Sequence, residues 1–320
     1  MKLVLKLSDY ILYETNKIYD TIREVVKIEL PKIKLTRGFA FGAGDSYASA
    51  LVLQYLSTFR FSAIDPIYII KNHMKLHSSD GGYGYIAFSY KGKTKSVVKA
   101  ARELREYGFK VIAVTSEPNS PLAHNADIVI NIVKTHESLP VGISSFIAMS
   151  TAAARIAGQA IDLSKVRDVI NESRKKEIIM KNLCEILKNV SEVVIVSNDV
   201  GLASGYYTCL KFYETLCMPC RVYPYEELLH AVIFSVRRDS LIMFYVENIE
   251  EVRSLSELLT SEGIPYIYVV SNGDKFSKFL TYIITGLRVI LKFVNTLNVN
   301  EPCFMKRRRL LEATTPTIYY

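Results

Sequence analysis

The sequence lacks the features that mark secreted, membrane-spanning and disordered chains. No uncharged apolar run approaches the ~18 residues that a membrane span requires. The first 28 residues do not read as a secretory leader. Lys2, Lys6, Asp9, Glu14, Lys17, Asp20 and Arg23 interrupt their apolar positions in the pattern of an amphipathic helix. A cytoplasmic location with no membrane partner is the expectation. Cysteine is scarce, with five residues at positions 184, 209, 217, 220 and 303, too odd and scattered a set for a secreted disulfide framework. Cys217-Met218-Pro219-Cys220 is a lone CxxC with no histidine pair at zinc spacing, so a disulfide or simple burial is expected there in place of a metal. His73, His77, His124 and His136 lack partners at a useful spacing, and neither metal nor cofactor is expected. Only Gln54 and Gln159 represent glutamine, whereas Lys, Ile and Tyr are plentiful, a composition that leans towards a thermophile.

What is present describes a folded protein. Apolar residues make up 49% of the chain and charged residues 22%, which excludes general disorder. A length of 320 residues suffices for two domains of about 150 residues each. The net charge of +8 favours anionic partners without choosing among them. Apolar periodicity predicts a helix over 8–29, ended by Pro31. Strands are then predicted at 38–41, 66–70, 85–89, 110–115 and 127–133, with helices at 46–57, 94–107, 121–125 and 144–160 between and after them. This alternation is the signature of a parallel sheet covered on both faces. A polar helical stretch over 162–190 carries the charge run 174–177. The alternation then restarts, with strands at 192–197, 221–225, 240–246 and 266–271 and helices at 203–216, 226–234, 249–262 and 281–297. The expected division is an N-terminal helix (1–35), a first α/β domain (36–162), a linking helix (163–190) and a second α/β domain (191–320).

Two loops in the first half suit an anion. Gly42-Ala43-Gly44-Asp45-Ser46 follows a strand and opens a helix. Glycine lets the backbone turn tightly against an anion, and the helix start supplies N–H groups and partial positive charge. Ser46 adds a hydroxyl. A dinucleotide fingerprint needs glycine at 47, where Tyr47 stands, although Asp65 lies near the spacing of a ribose-binding acid. No Gly-Lys-Ser/Thr follows, which excludes a P-loop here. The second loop, Ser89-Tyr90-Lys91-Gly92-Lys93-Thr94, is again a strand end, a glycine turn and a helix start. Parallel strands set such loops side by side. Gly44, Asp45, Ser46, Ser89, Tyr90, Lys91 and Thr94 are the candidate phosphate-binding residues. In the second half, Ser197-Asn198-Asp199-Val200-Gly201 has lost the GxGxS form.

Gly42-x-Gly44-x-Ser46, Ser89-x-x-Gly92-x-Thr94 and Ile112-x-Val114-Thr115-x-x-x-x-Ser120-Pro121-Leu122-Ala123-x-x-Ala126-Asp127 together resemble the sugar isomerase (SIS) domain over about residues 36–160. The second half resembles a second SIS domain. Tandem SIS proteins include the isomerase domain of glucosamine-6-phosphate synthase, archaeal glucosamine-6-phosphate deaminases and archaeal phosphoglucose/phosphomannose isomerases. The resemblance implies an α/β fold of two flavodoxin-like three-layer α/β/α sandwiches, each with a mainly parallel five-stranded sheet. Cys209-Leu210-Lys211-Phe212-Tyr213-Glu214 is similar to the synthase's ALKLKE-type segment, and Glu226-Glu227-Leu228-Leu229-His230 to its ELKH segment. Asn298-Val299-Asn300-Glu301-Pro302 resembles the stretch before the family's C-terminal catalytic lysine, a position that Arg307 takes, with Lys306 one residue earlier. Two departures stand out: Tyr90-Lys91 replaces the usual Ser/Gln-rich loop, and Ala231-Val232 replaces Gly-Pro after the histidine.

On this resemblance the chain is a phosphosugar aldose–ketose isomerase or deaminase, acting on a hexose 6-phosphate or glucosamine 6-phosphate through an enediol or enediolamine. One base must reach both carbons, and Glu214 is the candidate. His230 suits ring opening. Lys211, Lys306 or Arg307 would steady the enediolate. Arginine at the lysine position excludes Schiff-base chemistry there. Glu227, Ser144 and Ser145 are candidate positioning residues. Family members dimerise with the histidine lent by the neighbouring subunit, which makes a homodimer with His230 crossing the interface the expectation. The alternatives are a phosphoglucose/phosphomannose isomerase and, from a different class, a non-catalytic phosphosugar-binding regulator. About 35 residues precede the first strand, too few for a DNA-binding helix–turn–helix, and a nucleic-acid reading would rest on net charge alone.

Overall fold

Nine strands, all in parallel pairs, make up two sheets in the computed structural model, which describes residues 6–32, 35–72, 82–134, 141–175 and 183–320. His73, His77, His136 and part of the 174–177 charge run lie outside the described residues. The chain divides into two units. A five-stranded unit comprises Lys17–Ile161 and Arg308–Tyr320, and a four-stranded unit comprises Met1–Asn16 and Asp162–Arg307. The predicted helix over 8–29 is two helices, Leu7–Asn16 and Ile18–Lys27, the first assigned to the four-stranded unit and the second to the five-stranded unit.

The five-stranded sheet contains β1 (Arg37–Phe41), β2 (Phe61–Ile64), β3 (Tyr83–Phe88), β4 (Val111–Thr115) and β5 (Ile128–Asn131), in the order β2-β1-β3-β4-β5. This is the doubly wound flavodoxin order, in which the connections leave β1 and β3 in opposite directions. β4 is buried along its whole length, whereas β2 and β5 at the edges are partly exposed, as a sheet covered on both faces requires. One predicted strand is wrong. Residues 66–70 fall in a helix, Pro66–Asn72, and the strand beside β1 is Phe61–Ile64. The helix is fixed by its start. The Asp65 carboxylate accepts the Ile67 N–H at 2.6 Å, and Pro66, whose φ suits the first helical turn, has no N–H to satisfy.

The second sheet has four strands where five were expected: β6 (Glu192–Ser197), β7 (Cys220–Pro224), β8 (Ser240–Val246) and β9 (Tyr266–Val270), in the order β7-β6-β8-β9. After β9 the Asp274 carboxylate caps the Ser277 N–H at 2.9 Å and opens the 22-residue helix Lys275–Thr296, and no fifth strand joins this sheet among the described residues. That helix is long and apolar enough to cross a membrane, yet most of it is buried in the core of its unit, where Phe293 meets Phe212 edge to face at 5.5 Å. Two short helices, Cys303–Lys306 and Arg308–Ile318, were not foreseen. The second belongs to the five-stranded unit, where Tyr319 forms an antiparallel bridge with Thr94.

Candidate functional site

The Gly42–Ser46 and Ser89–Thr94 loops leave β1 and β3, which pair with Phe41 opposite Ala87. They therefore flank the switch point of the sheet at its C-terminal edge, where doubly wound folds bind ligands. In the first loop Gly44 adopts φ +57° and ψ −125°, a conformation that costs glycine far less than a residue with a side chain, and it forms the N-cap of the helix Asp45–Leu56. The buried Ser46 hydroxyl lies 3.5 Å from the Met149 sulfur. Asp45 and Ser145 both abut Gly142, where a Cβ would lie 2.8 Å from Asp45 Oδ2 and 2.9 Å from Ser145 Oγ. The Asp45 carboxylate thus lies beside the start of the Ser144–Ile156 helix, whose dipole favours it. Ser144 is buried at that helix start.

The second loop is locked from beneath. The Tyr90 carbonyl accepts from the Thr115 hydroxyl at 2.9 Å and from both the N–H and the hydroxyl of Ser116 at 2.8 Å. Gly92, at φ +61°, passes so close to Ser120 that a Cβ would lie 2.0 Å from its Oγ. The Ser89 and Thr94 hydroxyls lie 3.2 Å apart, and Thr94 makes no side-chain capping bond to the Lys95–Glu106 helix. The two hydroxyls are therefore not spent on ending a helix. Lys91 and Lys93 are exposed. Their field reaches Glu117, whose carboxyl lies below the usual range, first through its bond with Lys134 and in smaller part through Lys93 and Lys91. Asp65 is committed to the Ile67 N–H, so the feature that suggested a ribose acid serves as a helix cap.

The four-stranded unit repeats this backbone with a different filling. Asp199 is the N-cap of the Val200–Leu216 helix at φ 49° and ψ −136°, nearly the conformation of Gly44. Its carboxylate lies 3.3 Å from Lys275 Nζ. The loop keeps the backbone shape of its counterpart but carries a carboxylate where that one has a glycine, and this carboxylate makes no capping bond to the helix.

On the same helix, Lys211 is fully buried, with Nζ 2.6 Å from Glu214 Oε2 and 5.0 Å from the centroid of the buried Tyr207 ring. Glu214 keeps 32% of its side chain exposed, so the pair has a buried cationic end and a solvent-facing acidic end. The Cys217–Cys303 disulfide ties the end of this helix to the segment that carries Lys306 and Arg307. Among the described residues neither forms an ion pair with Glu214, and both are exposed. His230 ends the Tyr225–His230 helix with 79% of its side chain exposed; its ion-pair partner is Glu226 at 3.7 Å, and it makes no bond to Glu214. Glu227 is exposed on the same helix, which runs through Ala231 into a 3-10 turn, Val232–Ser235. The structure thus joins Lys211 to Glu214, and leaves His230, Glu227, Lys306 and Arg307 outside that pair.

Residues 34–157 match the SIS domain. The match covers both hydroxyl loops. A glutamine–fructose-6-phosphate aminotransferase (isomerizing) of Pyrobaculum aerophilum is 25% identical over 259 residues, covering 76% of this chain and 38% of the relative. The chain thus spans about two fifths of the length of that relative. Among solved structures, glucosamine-6-phosphate deaminase from Thermotoga maritima superposes with a TM-score of 0.71 at 19% identity, over 89% of this chain and 93% of that one. Tagatose-6-phosphate ketose/aldose isomerase from Escherichia coli gives 0.71 at 16% identity, over 91% and 94%. The fold, with its five- and four-stranded parallel sheets, is shared with these sugar-phosphate proteins.

Sequence reasoning missed three features. The two disulfides, Cys209–Cys220 and Cys217–Cys303, divide the CxxC between different partners, a pairing that spacing cannot reveal. The likeness of Asp199 to Gly44 was hidden by the lost glycines, although its position between a strand and a helix was a usable signal. The tail that bridges Thr94, with the Tyr320 N–H donating to the Lys93 carbonyl at 3.1 Å, gave no signal.

Proposed function

We propose that the chain is a phosphosugar aldose–ketose isomerase or the related deaminase, acting on a hexose 6-phosphate or glucosamine 6-phosphate. The Lys211–Glu214 pair carries the proposal. A fully buried ammonium fixes the direction of a carboxylate that still reaches solvent. Burying a lysine in this way is costly unless it is paired, so the pair is a deliberate feature of the helix. As base, Glu214 takes a proton from one carbon of the open-chain sugar and returns it to the next; the enediol formed between the two transfers leaves the composition unchanged. In the deaminase variant water enters and ammonia leaves. Gly44, Ser46, Ser89 and Thr94 hold the phosphate, aided by Lys91. The second sheet belongs to a second SIS-type unit whose first loop, with Asp199 at the position of Gly44, is not assigned a phosphate.

His230 is the acid/base for ring opening, supplied across a homodimer. Its exposure, its lack of a bond to Glu214 and the neighbouring exposed Phe234 (85%) and Leu229 (38%) support this, because a second copy would cover an apolar surface that a monomer leaves in water. We place the protein in the cytoplasm of a thermophile, where intracellular disulfides persist. One observation favours the rival reading of a non-catalytic phosphosugar sensor: Arg307 stands at the family's lysine position without contact to Glu214. A turnover panel of glucose, mannose, fructose and glucosamine 6-phosphates, with ammonia release measured, decides. Interconversion of an aldose and a ketose phosphate, or ammonia release, supports the enzyme; a ligand-induced thermal shift with no turnover across the panel supports the sensor.

A further inference from the structure

A cavity of about 480 Å³ opens at the ends of β1 and β3 opposite the hydroxyl loops. It is lined by Thr36, Arg37, Thr58, Phe59, Arg60 and Tyr83, all within the five-stranded unit. Arg37 begins β1 and pairs in register with Tyr83 at the start of β3; its guanidinium lies 5.9 Å from the centroid of that ring. Arg60 is fixed through its Nη2 donor to the Ala157 carbonyl at 2.6 Å and its Nε donor to the Ser57 carbonyl at 3.4 Å. Both partners are neutral, so these bonds orient the guanidinium without cancelling its charge. Among the described residues no carboxylate pairs with Arg37 or Arg60, and none lines the cavity.

The rim is built at a cost. Thr58 and Phe59 are consecutive non-glycine residues at positive φ, 53° and 61°, a region that bulky side chains avoid. The turn is held by the Phe59 N–H donating to the Gln54 carbonyl at 2.9 Å and the Thr58 N–H to the Tyr55 carbonyl at 3.2 Å. Its product is a phenyl ring left 58% exposed, with one edge contact to Tyr55 at 5.3 Å between centroids. A strained turn that presents an aromatic face to solvent beside two guanidinium groups with no carboxylate partner among the described residues suits a ligand that is anionic at one end and flat at the other.

We propose that this cavity binds a nucleoside diphosphate, with the phosphates on Arg37 and Arg60 and the base on Phe59. The volume falls within the usual range for such ligands. Guanidinium groups suit phosphate oxygens through paired donors, and a phenyl face suits any base. A plain sugar phosphate would leave Phe59 uncovered. The site is separate from the hydroxyl loops, because the five residues of β1 lie between them, roughly 15 Å of strand.

The test is calorimetric titration of the full chain with ADP and UDP, with pyrophosphate and uridine in separate arms at fixed salt. Saturable binding of at least one diphosphate at one site per chain is expected. Arg37→Ala and Arg60→Ala should each weaken it by about tenfold or more, and Phe59→Ala by about fivefold or more. Ser46→Ala should leave it unchanged. Arg60 ties two carbonyls, so if Arg60→Ala does not fold, the exposed Arg37 and Phe59 carry the test. Absence of binding by ADP and UDP up to millimolar concentration would overturn the proposal. So would pyrophosphate binding as tightly as the nucleotides, or loss of binding in Ser46→Ala with retention in Arg37→Ala.

Discussion

The two disulfides lie in the same unit but close loops of very different length, 86 residues for Cys217–Cys303 and 11 for Cys209–Cys220. In the chain-entropy treatment a crosslink stabilises by restricting the unfolded chain, with a term that grows as the logarithm of loop length. The long bridge then contributes about 4.6 kcal/mol at 25 °C and the short one about 2.8 kcal/mol. The difference, about 1.8 kcal/mol, depends only on the ratio of the two lengths. It can be measured without confounding by packing. One variant carries Cys209→Ala and Cys220→Ala, the other Cys217→Ala and Cys303→Ala, and each is unfolded in urea both oxidised and reduced. Comparing the two redox states of one sequence cancels the atoms lost to alanine. The variant that keeps only the long bridge should lose more stability on reduction than the variant that keeps only the short one. Equal losses, or a larger loss for the short bridge, would refute the entropic reasoning. Because the long bridge also tethers the segment of Lys306 and Arg307 to the Lys211–Glu214 helix, the variant lacking it should turn over more slowly than its partner.

Ser89→Ala and Thr94→Val should each weaken hexose 6-phosphate binding by about tenfold in calorimetry while costing less than about 1 kcal/mol in urea unfolding, since neither hydroxyl caps a helix. Asp199→Gly should stabilise the chain by about 1 kcal/mol, because relief of the backbone strain outweighs both the extra freedom of glycine in the unfolded chain and the partly exposed ion pair with Lys275; a lower melting temperature would contradict this. Tyr245 and Tyr282 stack at 4.9 Å, and burial raises both phenols well above their ordinary value near 10. The folded chain keeps both protons while the unfolded chain releases them. Their contribution is therefore complete below pH ~10 and is lost as pH rises above it, by up to about 1.4 kcal/mol per unit for each tyrosine. A Tyr282→Phe chain should show a shallower alkaline fall in unfolding free energy.

Much of this protein is legible without coordinates, and the reasons differ by region. β3, β4, β6 and β8 are mostly apolar runs rich in β-branched or aromatic residues because both faces of a parallel sheet are buried, and such runs are read with little ambiguity. Residues 66–70 misled because Ile67, Tyr68, Ile69 and Ile70 suit a strand by propensity; the local bond from Ile67 to Asp65 and the fixed φ of Pro66 overrode it. The hydroxyl loops were legible because glycine, serine and threonine at strand ends have a backbone reason to be there. Lys211 and Glu214 were found by resemblance, but the full burial of the lysine was not, since a charged residue on an amphipathic helix reads as solvent-facing until packing places it inside. The disulfide partners and the tail at Thr94 depend on long-range closure, which no local pattern encodes.

The most direct measurement is turnover by Glu214→Gln on whichever sugar phosphate the wild-type chain converts, with binding of the same ligand followed by calorimetry. Replacing the carboxylate by an amide keeps the side chain's shape and removes the base. The rate should fall by at least about 100-fold, and affinity should change by less than about threefold, because the proposed function assigns the phosphate to the hydroxyl loops and not to Glu214. Turnover by Glu214→Gln at the wild-type rate would contradict the assignment of Glu214 as the proton-transferring base.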